Sequence, residues 1–550
     1  MQERESPPGG GSTPAAQNRA EKLNTRAAGV VGLAVLCSRI LGVAREQISA
    51  ALFGGGRVMD AFTIAFRIPN LLRDLFAEGA LSTAFTTTFS KTSATDGNAA
   101  AWRLANKICT LTVVFLSAIT LVGIAAAPWL VAILAPGFDP AKAELTITLT
   151  RVMYPFILLV SLAALAMGML NARNVFGVPA MASSFFNLGS IVVGVALGWW
   201  LDPAFGPKAI LGLAVGTLVG GALQLAVQLP ALRRAGYVFH PDFAWRDSGV
   251  KAILRLMGPS VVAASTVQVN VLVNSIFASN LGDGPTFWLS IAFRLMQLPL
   301  GIFGVALGTV ALPLLARMAA AGNFTAFRSE LARGMRLAFL LTIPATIGLI
   351  ILAEPIISVL YQHRKFGAFE TAESAAALRF YAIGLSSYAA LKVLVNAFYA
   401  IDQRKTPMVV SFLAVGLNLL LNWIFTLHFG WGHRGLALST ACIATSNFLI
   451  LYFLMRRRLR LLETRNMVRL LAKIAVASVA LIAVCWAGNH FVLADWATQR
   501  FWPKLGWLMA TIVTGVVAFL GCAIALRIDE LEHLRTLVKR KLQRSNPPAR

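Results

Sequence analysis

From residue 27 to about residue 526 the chain alternates long apolar runs with short polar breaks. Most runs reach or exceed the ~20 residues that a helix needs to cross the hydrocarbon core of a bilayer. About 14 can be counted on that rule, at 27–54, 59–90, 108–134, 144–170, 178–201, 209–230, 252–281, 286–316, 335–360, 371–400, 407–429, 435–455, 467–490 and 503–526. They are too long and too uniformly apolar for the alternating strands of a β-barrel. Inside lipid, helices satisfy every backbone N–H and C=O within their own segment. The pattern therefore predicts an all-α polytopic membrane protein. Gly42, Pro69, Pro155, Pro299 and Pro344 are the predicted kink points.

The runs at 27–54 and 59–90 break the apolar rule in a particular way. Arg39, Arg45, Arg67 and Arg73 sit among apolar residues, with Glu46, Asp60, Asp74 and Glu78 nearby. A charge at the bilayer centre costs roughly 2.5–3.5 kcal/mol on insertion scales. These arginines must therefore face water, counter-ions or an anionic ligand. Arg294 in the eighth run poses the same problem. Guanidinium forks suit phosphate, to which they donate paired hydrogen bonds. Structural pairing, such as Arg45–Glu78 or Arg73–Asp74, is the competing reading. Arg67 equally snorkels or pairs with Asp60. Asp60 opens its run, where a carboxylate suits a helix N-terminus. Gln268, Asn270 and Asn274 in the seventh run serve either a sugar or peptide ligand or interhelical packing. Arg151, Arg379, Lys392 and Lys473 lie near run ends, where snorkelling is the default.

The chain also repeats itself at an offset of roughly 227 residues. FRIPNL at 66–71 matches FRLMQL at 293–298, APWLVAIL at 127–134 matches EPIISVL at 354–360, and Asn187 aligns with Asn418. This predicts two pseudo-symmetric six-helix lobes, 27–235 and 236–462, followed by two extra helices within 463–527. An even number of spans per repeat makes the repeat parallel, an arrangement that places substrate between lobes. Residues 1–26 read as a disordered tail, and 528–550 as a basic tail that is either an amphipathic surface helix or solvated.

Composition agrees and adds orientation. Of 550 residues, 57% are hydrophobic and 13% charged, and mean hydropathy is +0.70. With the N-terminus inside, the inner loops and tails hold roughly 32 of the lysines and arginines and the outer loops roughly 8, so both termini are predicted to be cytoplasmic. The net charge of +25 lies mostly in inner loops and points to anionic membrane lipids rather than nucleic acid. The five cysteines have no CxxC spacing and read as small buried hydrophobes. No HExxH, P-loop or Ser–His–Asp pattern appears. The reading is a transporter and not an enzyme, with no metal and no cofactor; coupling to the membrane potential or to a monovalent ion stays open.

SRILGVARE at 38–46, DAF at 60–62, PNLLR at 69–73, AEGALSTAF at 77–85, APGF at 135–138 and RLMQLPLGIFGVALGTVALPLLAR at 294–317 resemble the MurJ (MviN-type) lipid II flippases of the multidrug/oligosaccharidyl-lipid/polysaccharide exporter superfamily. The resemblance implies 14 helices and a central cavity lined by spans 1, 2, 7 and 8. It implies transfer of undecaprenyl-pyrophosphate-linked disaccharide-pentapeptide from the cytoplasmic to the periplasmic leaflet of the bacterial inner membrane, by alternating access. The family's cavity arginines fall on Arg39, Arg45, Arg73 and Arg294, and its neighbouring functional positions on Ser38, Asp60, Asn70 and Glu78. Spans 13 and 14 would form the groove for the lipid tail. Two positions depart from the pattern: Ala292-Phe293-Arg294 stands where the family usually reads ADR, and Asp74 stands where some members carry a basic residue. Expected partners are lipid II, anionic lipids and the cell-wall synthesis and division machinery. An exporter of another lipid-linked oligosaccharide or an amphipathic small molecule is the alternative.

Overall fold

The computed structural model describes residues 14–74, 81–460, 462–493 and 500–531. Among them the secondary structure is helical, with no strand. The helices are α1 (Pro14–Phe53), α2 (Arg57–Arg73), α3 (Ser82–Thr95), α4 (Asn98–Leu134), α5 (Pro140–Met153), α6 (Phe156–Ala172), α7 (Gly177–Leu201), α8 (Ile210–Ala226), α9 (Leu229–Arg234) and α10 (Ser248–Ser279). They continue as α11 (Pro285–Pro299), α12 (Ala306–Ala320), α13 (Phe324–Ile351), α14 (Ala353–Tyr361), α15 (Ala368–Ile383), α16 (Leu385–Ala400), α17 (Lys405–Asn422), α18 (Gly432–Leu459), α19 (Thr464–Ala487) and α20 (Phe501–Ala525).

Among the described residues, 10 helical segments are long and apolar enough to cross a membrane, or 11 if α15 and α16, bent by 41° at Gly384, form one span. The helices α1, α2 and α10 occupy the places of the first, second and seventh expected spans. Two prolines coincide with breaks. The α5–α6 junction falls at Tyr154–Pro155, and Pro299 is followed by a π-helical turn over Leu300–Val305. A proline lacks the N–H that would continue the ladder, so the carbonyl one turn back must find another partner. By contrast α1 runs unbroken through Gly42, and α2 and α13 remain helical through Pro69 and Pro344.

Packing separates two compact units. One comprises Met1–Ile48, Phe66–Ala127 and Thr148–Val261; the other comprises Ser49–Ala65, Pro128–Ile147 and Val262–Arg550. The first has a core of Phe85 and Phe89 from α3, Leu104 and Ile108 from α4, Leu165 and Met169 from α6, and Ile253 from α10. Its tightest helix pair is α7 on α8, where a Cβ on Gly216 would lie 2.6 Å from the Gly194 backbone. Glycine thus lets two backbones touch where lipid offers no hydrophobic drive for association. In the second unit, α13, α15, α16 and α18 pack around Phe339, Leu378, Leu385, Val393 and Leu436. There α19 lies against both α13 and α20.

Candidate functional site

Three glycines, Gly54-Gly55-Gly56, turn the chain from α1 into α2. Gly54 has φ +76°, and a Cβ on Gly55 would lie within 3 Å of the Glu370 side chain and the Phe366 ring. Only glycine fits there. The tight turn delivers Asp60, in the first turn of α2, to a fully buried position.

The Asp60 carboxylate is completely satisfied. Oδ2 accepts from Lys142 Nζ at 3.0 Å and from the Gly284 N–H at 2.7 Å, and Oδ1 accepts from the Phe287 N–H at 2.9 Å. Gly284 has φ +110° and stands at the N-terminus of α11. Asp60 therefore caps a helix far away in sequence, placing negative charge where unpaired N–H groups and the helix dipole favour it. Lys142 is 2% exposed. Its ammonium spends its three donors on Asp60, the Gly282 carbonyl at 3.2 Å and Asp283 at 2.8 Å. It also lies 4.1 Å from the Phe138 ring centroid. Arg57 bonds Asp139 and approaches Asp283 to 3.9 Å. Charges of alternating sign thus run from buried Asp60 out to exposed Asp139. The Arg57 guanidinium beside it holds the Asp139 carboxyl below the usual range.

This cap fixes the helix that carries Arg294. At 1.5 Å per residue, Arg294 lies about 15 Å along the axis from Gly284. Ala292 is buried, and Phe293 packs edge-on against Tyr381 with ring centroids 5.4 Å apart. The side chain in the position where the resemblance implies an acidic residue is thus spent on an aromatic contact. Arg294 itself is exposed.

In the other unit, Asn187 of α7 donates from Nδ2 to the Ser38 carbonyl at 3.2 Å and to the Ser183 carbonyl at 3.1 Å. That clamp holds α1 where the arginines begin. Ser38 is half-buried and Arg39 exposed. Arg45 is half-buried, its guanidinium carbon 5.0 Å from the Phe186 centroid, a cation–π contact that steadies the side chain. On α2, Arg67 and Asn70 are half-buried, and the buried Asn70 Oδ1 accepts no hydrogen bond. Arg73 directs Nε and Nη2 to one oxygen of Asp74, at 3.1 and 2.8 Å. Here the pairing alternative is realised. Glu78 lies outside the described residues.

Asn270 and Asn274 form a two-rung ladder. Asn418 Nδ2 donates to Asn270 Oδ1 and Asn422 Nδ2 to Asn274 Oδ1, each at 2.9 Å. Asn274 in turn donates to Thr440 at 3.2 Å, and Ser439 donates to Asn422. These amides bind helices to one another. Among the residues expected to snorkel, Arg379 pairs with Glu354 at 3.0 Å and Lys473 donates to the Arg527 carbonyl at 2.8 Å. Among the described residues no cluster of His, Cys, Asp or Glu is placed to hold a metal, and the five cysteines form no disulfide.

Sequence reasoning missed Lys142 and Asp283. A signal was present: Pro140 starts α5 and places Lys142 in its first turn, where a cation is disfavoured. A cation there implies a nearby carboxylate.

Comparison with known proteins follows the same lines. A family model described as lipid II flippase MurJ matches residues 49–505. The chain is 34% identical over 495 residues to a protein of Burkholderia cenocepacia named lipid II flippase MurJ, covering 88% of this chain and 94% of that one. It is also 34% identical over 477 residues to a Buchnera aphidicola protein named probable lipid II flippase MurJ, covering 86% and 92%. Among solved structures, a lipid II flippase MurJ in an inward closed conformation superposes with a TM-score of 0.73 at 23% identity, over 91% of this chain and 99% of that one. An inward-facing multidrug transporter of the MATE family superposes with a TM-score of 0.65 at 16% identity, over 78% and 96%.

Proposed function

The chain belongs to the lipid II flippase MurJ family, and from that premise we propose that it carries lipid II from the cytoplasmic to the periplasmic leaflet by alternating access. The observation that carries this reading is the set of arginines on otherwise apolar helices. Arg39 and Arg294 are exposed and Arg45 is half-buried beside an aromatic ring. Such charges on a membrane helix suit an anionic ligand, and the substrate's diphosphate is one. Arg39, Arg45 and Arg294 hold it as charge-assisted donors, and Arg73 joins them by exchanging its Asp74 contact for phosphate. Ser38 and the free acceptor of Asn70 orient the headgroup. Asp60 acts through α11, as a positioning residue for Arg294.

The moving parts in this reading are the lobes 27–235 and 236–462. Helices α19 and α20, within 463–527, give the prenyl tail an apolar groove. Both termini face the cytoplasm, anionic lipids surround the inner loops, and the cell-wall synthesis and division machinery takes up the product. Membrane potential, negative inside, draws an empty cationic site inward, at about 2.3 kcal/mol per charge per 100 mV if the whole field is crossed. A monovalent ion is the second candidate for coupling.

The test is complementation. Cells depleted of their own lipid II flippase express this chain, and lipid II reachable from outside is measured. Restored exposure is the expected result. A chain that is inserted and abundant yet restores none contradicts the substrate, and favours an exporter of another lipid-linked oligosaccharide or an amphipathic small molecule.

A further inference from the structure

The turn from α17 into α18 reads Gly430-Trp431-Gly432-His433-Arg434. Gly430 and Gly432 have φ of +68° and +56°, and a Cβ on either would meet nothing within 4 Å. Glycine is required here by backbone conformation, and neither chain neighbour of Trp431 carries a side chain. The indole is nevertheless held. Its ring stacks on Phe425 with centroids 5.7 Å apart and planes 8° apart and on Phe380 with centroids 6.5 Å apart, and the Trp431 backbone N–H donates to the Phe425 carbonyl at 3.0 Å. Trp431 stays 46% exposed.

Trp431 forms one wall of a cleft of about 460 Å³, with Phe380, Glu373, His433 and Arg434 completing it. That volume lies within the range of small-molecule sites. Arg434 Nη2 reaches both Glu373 oxygens, at 3.0 and 3.2 Å, and His433 Nε2 lies 3.2 Å from Oε2. The carboxylate is thus committed, which disfavours a cationic ligand. The guanidinium is neutralised, which disfavours phosphate. A rigid aromatic face beside a neutral set of hydrogen-bonding groups suits a polyhydroxylated ring, with C–H groups against the indole and hydroxyls against the Arg434–Glu373 pair.

We propose that this cleft binds a neutral pyranose of a glycan on the outer face. The side of the membrane and the choice of sugar rest on the lipid II reading, whose headgroup carries N-acetylated hexosamines. The cleft itself rests on the geometry around Trp431. Two sources share this chemistry, the headgroup of the lipid-linked substrate and free glycan chains.

The test uses the full chain labelled with 5-fluorotryptophan in nanodiscs. The fluorine resonance absent from Trp431→Phe belongs to Trp431. Chitobiose is expected to shift it saturably, and maltose to shift it less. Trp431→Ala, with binding followed by saturation transfer to the sugar, is expected to weaken chitobiose at least about tenfold, and Trp431→Phe by less. Phe380→Ala is the second variant, should Trp431→Ala not fold. A Trp431 resonance unmoved by chitobiose, or a Trp431→Ala protein that binds as the parent does, overturns the proposal and leaves Trp431 as an interfacial anchor. A shift produced by lipid II in the nanodisc assigns the headgroup, and one produced only by soluble chitin oligomers assigns free glycan. If the parent flips lipid II but no sugar moves the resonance, the cleft alone falls. If the resonance moves but complementation fails, the transport reading falls and the cleft stands.

Discussion

Asp60 and Arg39 are both charges on helices of apolar surroundings, and the structure treats them in opposite ways. Asp60 is fully buried, with every oxygen bonded to Lys142, Gly284 or Phe287. Arg39, like Arg294 in the other unit, is exposed. The difference separates a charge that builds the fold from charges that, in the proposed function, meet the substrate. A buried charge persists only when paired and hydrogen-bonded. An accessible one on a membrane helix costs free energy that only function repays.

The largest effect should come from breaking the buried pair. Lys142→Met leaves the buried Asp60 carboxyl without its cation, and should cost about 3–5 kcal/mol of stability. Thermal unfolding of the purified protein reads this directly. Adding Asp60→Asn to that variant should recover part of the loss. A Lys142→Met protein as stable as the parent would place Asp60 among the accessible charges.

The asparagine ladder comes next. Asn422→Leu leaves Asn274 Oδ1 without its donor and should cost about 1–3 kcal/mol. The double variant with Asn274→Leu should lie closer to the parent, because it removes both partners of that rung. Equal losses in the single and double variants would mean that shape, not hydrogen bonding, holds α10 to α17.

A smaller effect belongs to Asp247, which pairs with Lys107 at 2.8 Å and accepts from the Gly249 N–H at 2.8 Å in the first turn of α10. The hydrogen bond from Lys107 holds its carboxyl below the usual range. Its stabilisation is therefore complete above the ordinary aspartate pKa of about 3.9 and is lost as pH falls through the lowered value. Asp247→Asn should cost about 1 kcal/mol at pH 7. The gap to the parent should narrow in melting curves taken toward pH 3.

Arg39→Ala should move stability least, within about 0.5 kcal/mol, since the side chain is exposed. A drop comparable to that of Lys142→Met would erase the distinction between the two kinds of charge.

Much of this was legible along the chain. The apolar runs mark where helices form, and Pro155 and Pro299 mark where two are interrupted, because both signals are local. The two asparagines that the expected repeat aligns each tie one helix to another. Asn187 ties α7 to α1 through the Ser38 carbonyl, and Asn418 ties α17 to α10 through Asn270. What stayed hidden was partner choice over long separations. Asp60 read as a charge for its own helix start, whereas it caps α11 and meets a lysine 82 residues away. Nothing in the spacing of DAF at 60–62 and APGF at 135–138 names that pair. Arg73 showed the opposite case, where the adjacent residue supplied the partner and both readings were visible from the start.

The most direct test places lipid II and the protein in sealed liposomes and follows transfer between leaflets, with each variant matched for folded protein. Arg39→Ala, Arg45→Ala and Arg294→Ala should each lose at least about tenfold in rate, equivalent to 1.4 kcal/mol or more, with Arg39→Ala melting as the parent does. Transfer at the parent's rate by all three would contradict the account, and would make these arginines structural.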